Sequence, residues 1–190
     1  MAEETRHMLS GMKGLLVGLF CLAWNLLPHT WQGWIAVAVS LPFILHVQIL
    51  IHELGHYVFR KIFVVPTKRM VIGTGPLMFR IKSFEVRWIP TSGSVGPGVY
   101  CMDIPVRHKL WVYRGGILAN GVSMLLWLKN PVWVLCGLMM IWANTRVVVF
   151  REKRTMTDGA WIALLRGGFR LPEGFEPCTE DSGFEGTQEG

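Results

Sequence analysis

Five consecutive residues, His52-Glu53-Leu54-Gly55-His56, form an H-E-x-x-H pattern. On a helix, positions four apart share a face, so both imidazoles can grip one metal ion. The carboxylate between them lies beside that ion. A bound Zn2+ lowers the pKa of its water to ~7 and polarises a carbonyl, and Glu53 is placed to take the proton. The chemistry implied is metal-assisted hydrolysis, with Glu53 as general base.

A catalytic zinc takes three protein ligands and keeps one position open. No third histidine follows His56 at a short spacing, which leaves the acids Asp103, Glu152 and Asp158. Asp158 is slightly favoured. Thr157-Asp158-Gly159 stands at a helix start just past the last apolar segment, and glycine lets another backbone come close. The competing reading makes Asp158 only a helix cap. His46 suits helix packing better than ligation, and His7, His29 and His108 suit a membrane interface.

The motif must be held by a helix, and the surrounding sequence supplies one. Trp31 to Ile51 contains no charged residue. Its 21 residues, at ~1.5 Å rise each, match a hydrocarbon core of ~30 Å. The helix is expected to run on through Tyr57 to about Ile62, with Pro42 as a possible kink. Leu110 to Leu128 and Pro131 to Phe150 read as further spans, and Gly14 to Leu27 as a short first one. Arg6 and Lys13 before that run resemble a signal peptide, but no small-x-small site follows, so the segment is expected to be retained. Between the spans, residues 65–108 are rich in Gly and Pro with β-prone runs at Val71-Ile72 and Phe84 to Trp88, which predicts short strands. The glycine-rich stretch Thr91 to Gly98 reads as a flexible loop, a candidate gate. The fold class expected is mainly α, a polytopic membrane protein. It has about four transmembrane helices and a small β-containing insertion at the cytoplasmic membrane surface.

Charge placement agrees with that layout. The chain is 51% hydrophobic with nine Trp, high for a soluble domain. Residues 60–109 carry nine Lys and Arg and residues 151–170 carry five, whereas the links 28–30 and 129–130 carry only Lys129. Four spans put every basic segment on one side, which makes both termini cytoplasmic. Residues 171–190 hold six acids and no Lys or Arg; the other 170 hold all 19 Lys and Arg against seven acids, a net +12. This division predicts a membrane-embedded domain over residues 1–170 and an acidic, disordered tail over 171–190. The basic residues flank apolar segments, so the lipid bilayer, not nucleic acid, is the expected partner. The four cysteines are scattered with no C-x-x-C pair, which excludes a thiolate zinc site.

The order of motifs resembles the site-2 protease family of intramembrane zinc metalloproteases. Besides His52 to His56 and Asp158-Gly159, the run Gly73-Thr74-Gly75-Pro76 is similar to that family's glycine-rich strand. Gly115 to Asn120 resembles its small-residue helix, and Ala143-Asn144-Thr145 its later Asn. The resemblance covers about residues 35–168. It implies His52, His56 and Asp158 as zinc ligands, with Asn120 and Asn144 holding substrate or the oxyanion. The alternative for both Asn residues is interhelical hydrogen bonding. The activity implied is hydrolysis of a peptide bond in a partner's transmembrane segment near the cytoplasmic face. Edge pairing of the unwound substrate with strands of 65–108 would assist it. The small one-domain form suits a bacterial plasma membrane. The rival function is a catalytically silent metal-binding scaffold or regulator, which has no need of Glu53. A metal-ion transporter would route through His46, Gln48, Asn120 and Asn144, but no acid lies mid-span.

Overall fold

A computed structural model describes residues 30–67, 69–96, 99–150, 155–173 and 175. The first expected span, Glu152 and most of the acidic tail lie outside these residues. The described chain is mainly helical with two small two-stranded sheets.

Helix α1 runs from Trp31 to Ile62 without a break at Pro42. Thr30 starts it, its hydroxyl accepting from Gly33 N at 3.2 Å, a cap that contributes ~1 kcal/mol. Arg60 and Lys61 lie in its last turn, where the helix dipole favours cations. Only 17% of its most apolar stretch is buried within the protein. Trp31, Val39 and Phe43 face outward, while Gln48, His52, Glu53, His56 and Arg60 turn inward.

Among the described residues, α1 alone is long and apolar enough to cross a membrane, where four spans were expected. Helix α2, Val106–Leu126, has the length, but Arg107, Lys109 and Arg114 break its apolar character. Helix α3, Pro131–Thr145, is apolar but only 15 residues long, and a full span takes ~20. Its expected continuation to Phe150 is corrected here. Arg146 is already extended (ψ 150°), and the β-branched run Val147 to Val149 leads into strand β3, Val149–Phe150. That strand pairs antiparallel with β4, Thr155–Met156. The hairpin folds the chain back and delivers helix α4, Asp158–Leu165, to the side of α2.

The segment between α1 and α2 holds strands β1, Met70–Ile81, and β2, Phe84–Val95, followed by a 3-10 turn at Val99–Cys101. Both strands are bent, so their register is mixed. Met70, Val71 and Ile72 run parallel to Phe84, Glu85 and Val86. The same three residues pair antiparallel with Val95, Ser94 and Gly93, and Ile81, Arg80 and Phe79 pair antiparallel with Phe84, Glu85 and Val86. The loop expected from Thr91 to Gly98 is therefore strand as far as Val95. Backbone pairing overrides the turn propensity of Thr91-Ser92-Gly93-Ser94. Gly96 then reverses the chain with φ +63°, and residues 97 and 98 lie outside the description.

Packing ties these parts to α1. Met70, Ile72 and Val95 bury against Ile49. His46 bridges α1 to β2, its ring nitrogens 2.8 Å from Pro42 O and 2.9 Å from Arg87 O. Ala160 and Trp161 of α4 pack on Val112 and Tyr113 of α2, with the Tyr113 and Trp161 rings stacked at 5.6 Å. Helices α1 and α2 meet at Gly55 and Gly115, so closely that a Cβ on either would enter the other's backbone carbonyl.

Gly55→Ala ought therefore to destabilise the fold by ~1–3 kcal/mol, although alanine in a helix is ordinarily favoured by ~1 kcal/mol. Thermal unfolding of the detergent-purified protein checks this; an unchanged or higher midpoint would mean that the helices separate at no cost.

Candidate metal centre

Four polar side chains, Gln48, His52, His56 and Arg60, recur every fourth residue along the inward face of α1, and all four are buried. Buried polar groups in an apolar setting need partners, and α2 supplies them for both histidines. His52 Nδ1 lies 2.7 Å from Asn120 Oδ1. Asn120 Nδ2 in turn donates to Gln48 Oε1 at 2.7 Å and to Gln48 O at 3.2 Å, which fixes the amide's orientation. Gln48 Nε2 donates to Trp133 O of α3 at 3.3 Å, closing the chain of bonds. His56 Nδ1 donates to Val112 O at 2.7 Å.

Both acceptors are oxygens without a hydrogen to give, so each neutral ring carries its proton on Nδ1. Each Nε2 is then left with a lone pair. These two atoms are 3.2 Å apart. Asp158 Oδ2 completes the triangle at 3.0 Å from His52 Nε2 and 3.3 Å from His56 Nε2. That oxygen is buried and has no hydrogen-bond donor of its own. With both rings neutral, three electron-pair donors face one another. A cation at the centre removes their repulsion. Ligands at ~2.0–2.1 Å around a tetrahedral ion stand ~3.3 Å apart, which is the spacing found. The three residues fit a divalent metal.

Local sequence explains how the ligands reach one point. Thr157 caps α4, its hydroxyl accepting from Ala160 N at 3.4 Å, so Asp158 sits in the first helical turn. The same hydroxyl binds Arg146 O, which anchors the cap to the end of α3. Gly159 lies flat against Thr145 and Arg146, where a Cβ would come within 2.8 Å of Arg146 O. Gly116 of α2 forms the wall beneath the imidazoles; a Cβ there would lie 2.6 Å from His52 Nε2 and 2.7 Å from His56 Nε2. Glu53 is 5% exposed and sits under β2, where a side chain on Gly93 would strike its Oε1 at 2.6 Å.

A family model, peptidase family M50, matches residues 40–161, a stretch that includes every side chain from His52 to Asp158. The chain belongs to peptidase family M50, the site-2 protease family. No curated protein matches it. M50 members are membrane metallopeptidases, and His52, His56 and Asp158 form a cluster that could hold a metal ion.

The other sequence candidates fall as follows. Asp103 is exposed, in the bend before α2, and outside the cluster. Asn120 stands behind His52 instead of facing the reaction space, and both ends of its amide are engaged within the protein. Asn144 is half-buried in the last turn of α3, and its amide donates to Met140 O of its own helix at 3.0 Å. The sequence did not mark Gln48 or the Val112 carbonyl as orienting groups of this M50 site, nor the room that Gly116 and Gly93 leave beside His52 and Glu53. For Gln48 a signal existed, since it lies four residues before His52 in an otherwise apolar stretch. For a backbone carbonyl there is none.

Removing an orienting partner of a metal-binding histidine weakens metal affinity ~10–100-fold. Asn120→Ala is expected to do so in competition with a chromogenic chelator, while Asn144→Ala binds metal as wild type does. Equal affinity in both variants would deny Asn120 its orienting role.

Proposed function

We propose that this chain is an intramembrane zinc endopeptidase. It hydrolyses a peptide bond in the transmembrane segment of a membrane-protein substrate, near the cytoplasmic face. The observation that carries the reading is the convergence of His52 Nε2, His56 Nε2 and Asp158 Oδ2 within 3.3 Å of one another, with buried Glu53 next to His52 in the chain. Two neutral imidazoles and one carboxylate are a ligand set typical of catalytic zinc and leave one position open. The bound ion supplies Lewis acidity and makes water nucleophilic near neutral pH. Glu53 accepts the proton of the attacking water and returns it to the leaving amine. Asn120 and Val112 hold the two rings in the tautomer that the ion requires.

Strand β2 suggests how the substrate is presented. Gly93 to Val95 pair with Met70 to Ile72 along one edge, and the other edge has no strand partner among the described residues. An unwound substrate segment added there would satisfy its freed backbone groups and pass beside Glu53. Helices α2 and α3 complete a multi-pass body around α1, with the bilayer thinned at the short α3. The basic segments support a topology with both termini cytoplasmic.

The test compares membranes from cells producing wild type or Glu53→Gln, with the new peptide termini mapped by mass spectrometry. Wild type should yield termini inside apolar segments. Glu53→Gln should lower their yield by ~10²–10⁴ while keeping about one zinc per chain. Termini that persist in the variant, together with unchanged physiology, would favour a metal-binding scaffold.

A further inference from the structure

The hairpin of β1 and β2 gathers more positive charge than it neutralises. Glu85 is 1% exposed, and its carboxylate is held by Arg69 and Arg80, with Arg87 Nη2 at 3.6 Å. Burial pushes this carboxyl up, but the two bound guanidiniums outweigh it and hold Glu85 below the usual carboxylate range. Glu85 therefore stays ionised, and this one carboxylate faces three arginines.

Two of these arginines, Arg69 and Arg80, border an open space together with Lys82. A cavity of about 330 Å³ is lined by Arg69, Arg80, Lys82, Ser83 and Glu85. Apart from Glu85, whose oxygens are already engaged, the lining side chains are hydrogen-bond donors. Lys82 adopts a left-handed backbone (φ 53°), a conformation that a glycine would take without strain, at the turn joining the strands. The ammonium is kept at the rim at that cost.

We propose that this cavity is a phosphate-binding site, taking the phosphate of an anionic lipid headgroup or of a soluble polyphosphate. Guanidinium forks match phosphate oxygens in bidentate fashion. Glu85 holds two of them in place beforehand, so less side-chain entropy is lost when the anion arrives. A tetrahedral phosphate presents oxygens in several directions to the three cationic side chains of the lining, whereas a planar carboxylate presents two in one plane. The exposed apolar residues Phe79, Ile81 and Trp88 on the same hairpin suit the level where headgroups meet acyl chains. The site is independent of the proteolytic reading.

Two arms test it on the full chain in neutral detergent. Native mass spectrometry counts bound phosphatidylglycerol against phosphatidylcholine, and equilibrium dialysis measures inorganic pyrophosphate. Wild type should bind at least one of the anionic probes, and Arg80→Gln and Lys82→Gln should each weaken that binding about tenfold, the loss of one charge-assisted contact. Lys129→Gln, in the link between α2 and α3, should have no effect. Preference for phosphatidylglycerol without pyrophosphate binding identifies the headgroup; pyrophosphate binding without lipid preference identifies a soluble ligand. Failure of wild type to bind either anion, or equal binding by all variants, overturns the proposal. Unchanged metal content in Lys82→Gln, at an exposed turn, shows that any loss is not unfolding.

Discussion

Two imidazole lone pairs and a carboxylate oxygen pointed at one another in a buried space repel, and the architecture around them is arranged to keep them there. The protons that would relieve the repulsion are held on the far side of each ring by Asn120 and the Val112 carbonyl. In a low-dielectric surrounding, that arrangement favours a divalent cation strongly and leaves little alternative. Much of the remaining structure can be understood as what is needed to hold three donors within 3.3 Å of each other.

Two of the donors come from one helix and need only the spacing of four residues. Their orientation requires α2 to lie close enough for Asn120 and Val112 to reach them. Glycine at 55 and 115 permits that approach, and glycine at 116 leaves room for the imidazoles. The third donor arrives from 102 residues further along the chain, counted from His56, and depends on the turn at Arg146 and on the β3–β4 hairpin. Stacking of Trp161 on Tyr113 then fixes α4 against the same helix that orients His52. The three donors and the packing core are consequently parts of one assembly, in which α2 is shared.

The membrane imposes a second order on the chain. Buried polar groups of α1 all lie in its second half, where partners from α2 and β2 are available, while its first half presents apolar side chains outward. The sheet handles its own charge differently. It buries a single carboxylate under arginines and leaves a basic surface, as suits a segment beside headgroups.

Much of this could be read from residues alone. H-E-x-x-H on an apolar run determined the helix, its buried face and the pairing of two imidazoles on that face, because i and i+4 spacing is a local property. Thr157-Asp158-Gly159 similarly marked a capped helix start. The limit came wherever backbone met backbone. Pro131 to Phe150 looks like one apolar segment, but β-branched residues after Thr145 found a strand partner and left the helix. Thr91 to Val95 has the composition of a loop and became a strand because Met70 to Ile72 offered hydrogen bonds. The placing of Asn120 behind His52 and the approach of Gly93 to Glu53 were decided by tertiary structure alone, which also brought Asp158, only slightly favoured by the sequence, to the two histidines. Each depends on distances between segments far apart in the chain, and no local spacing encodes them.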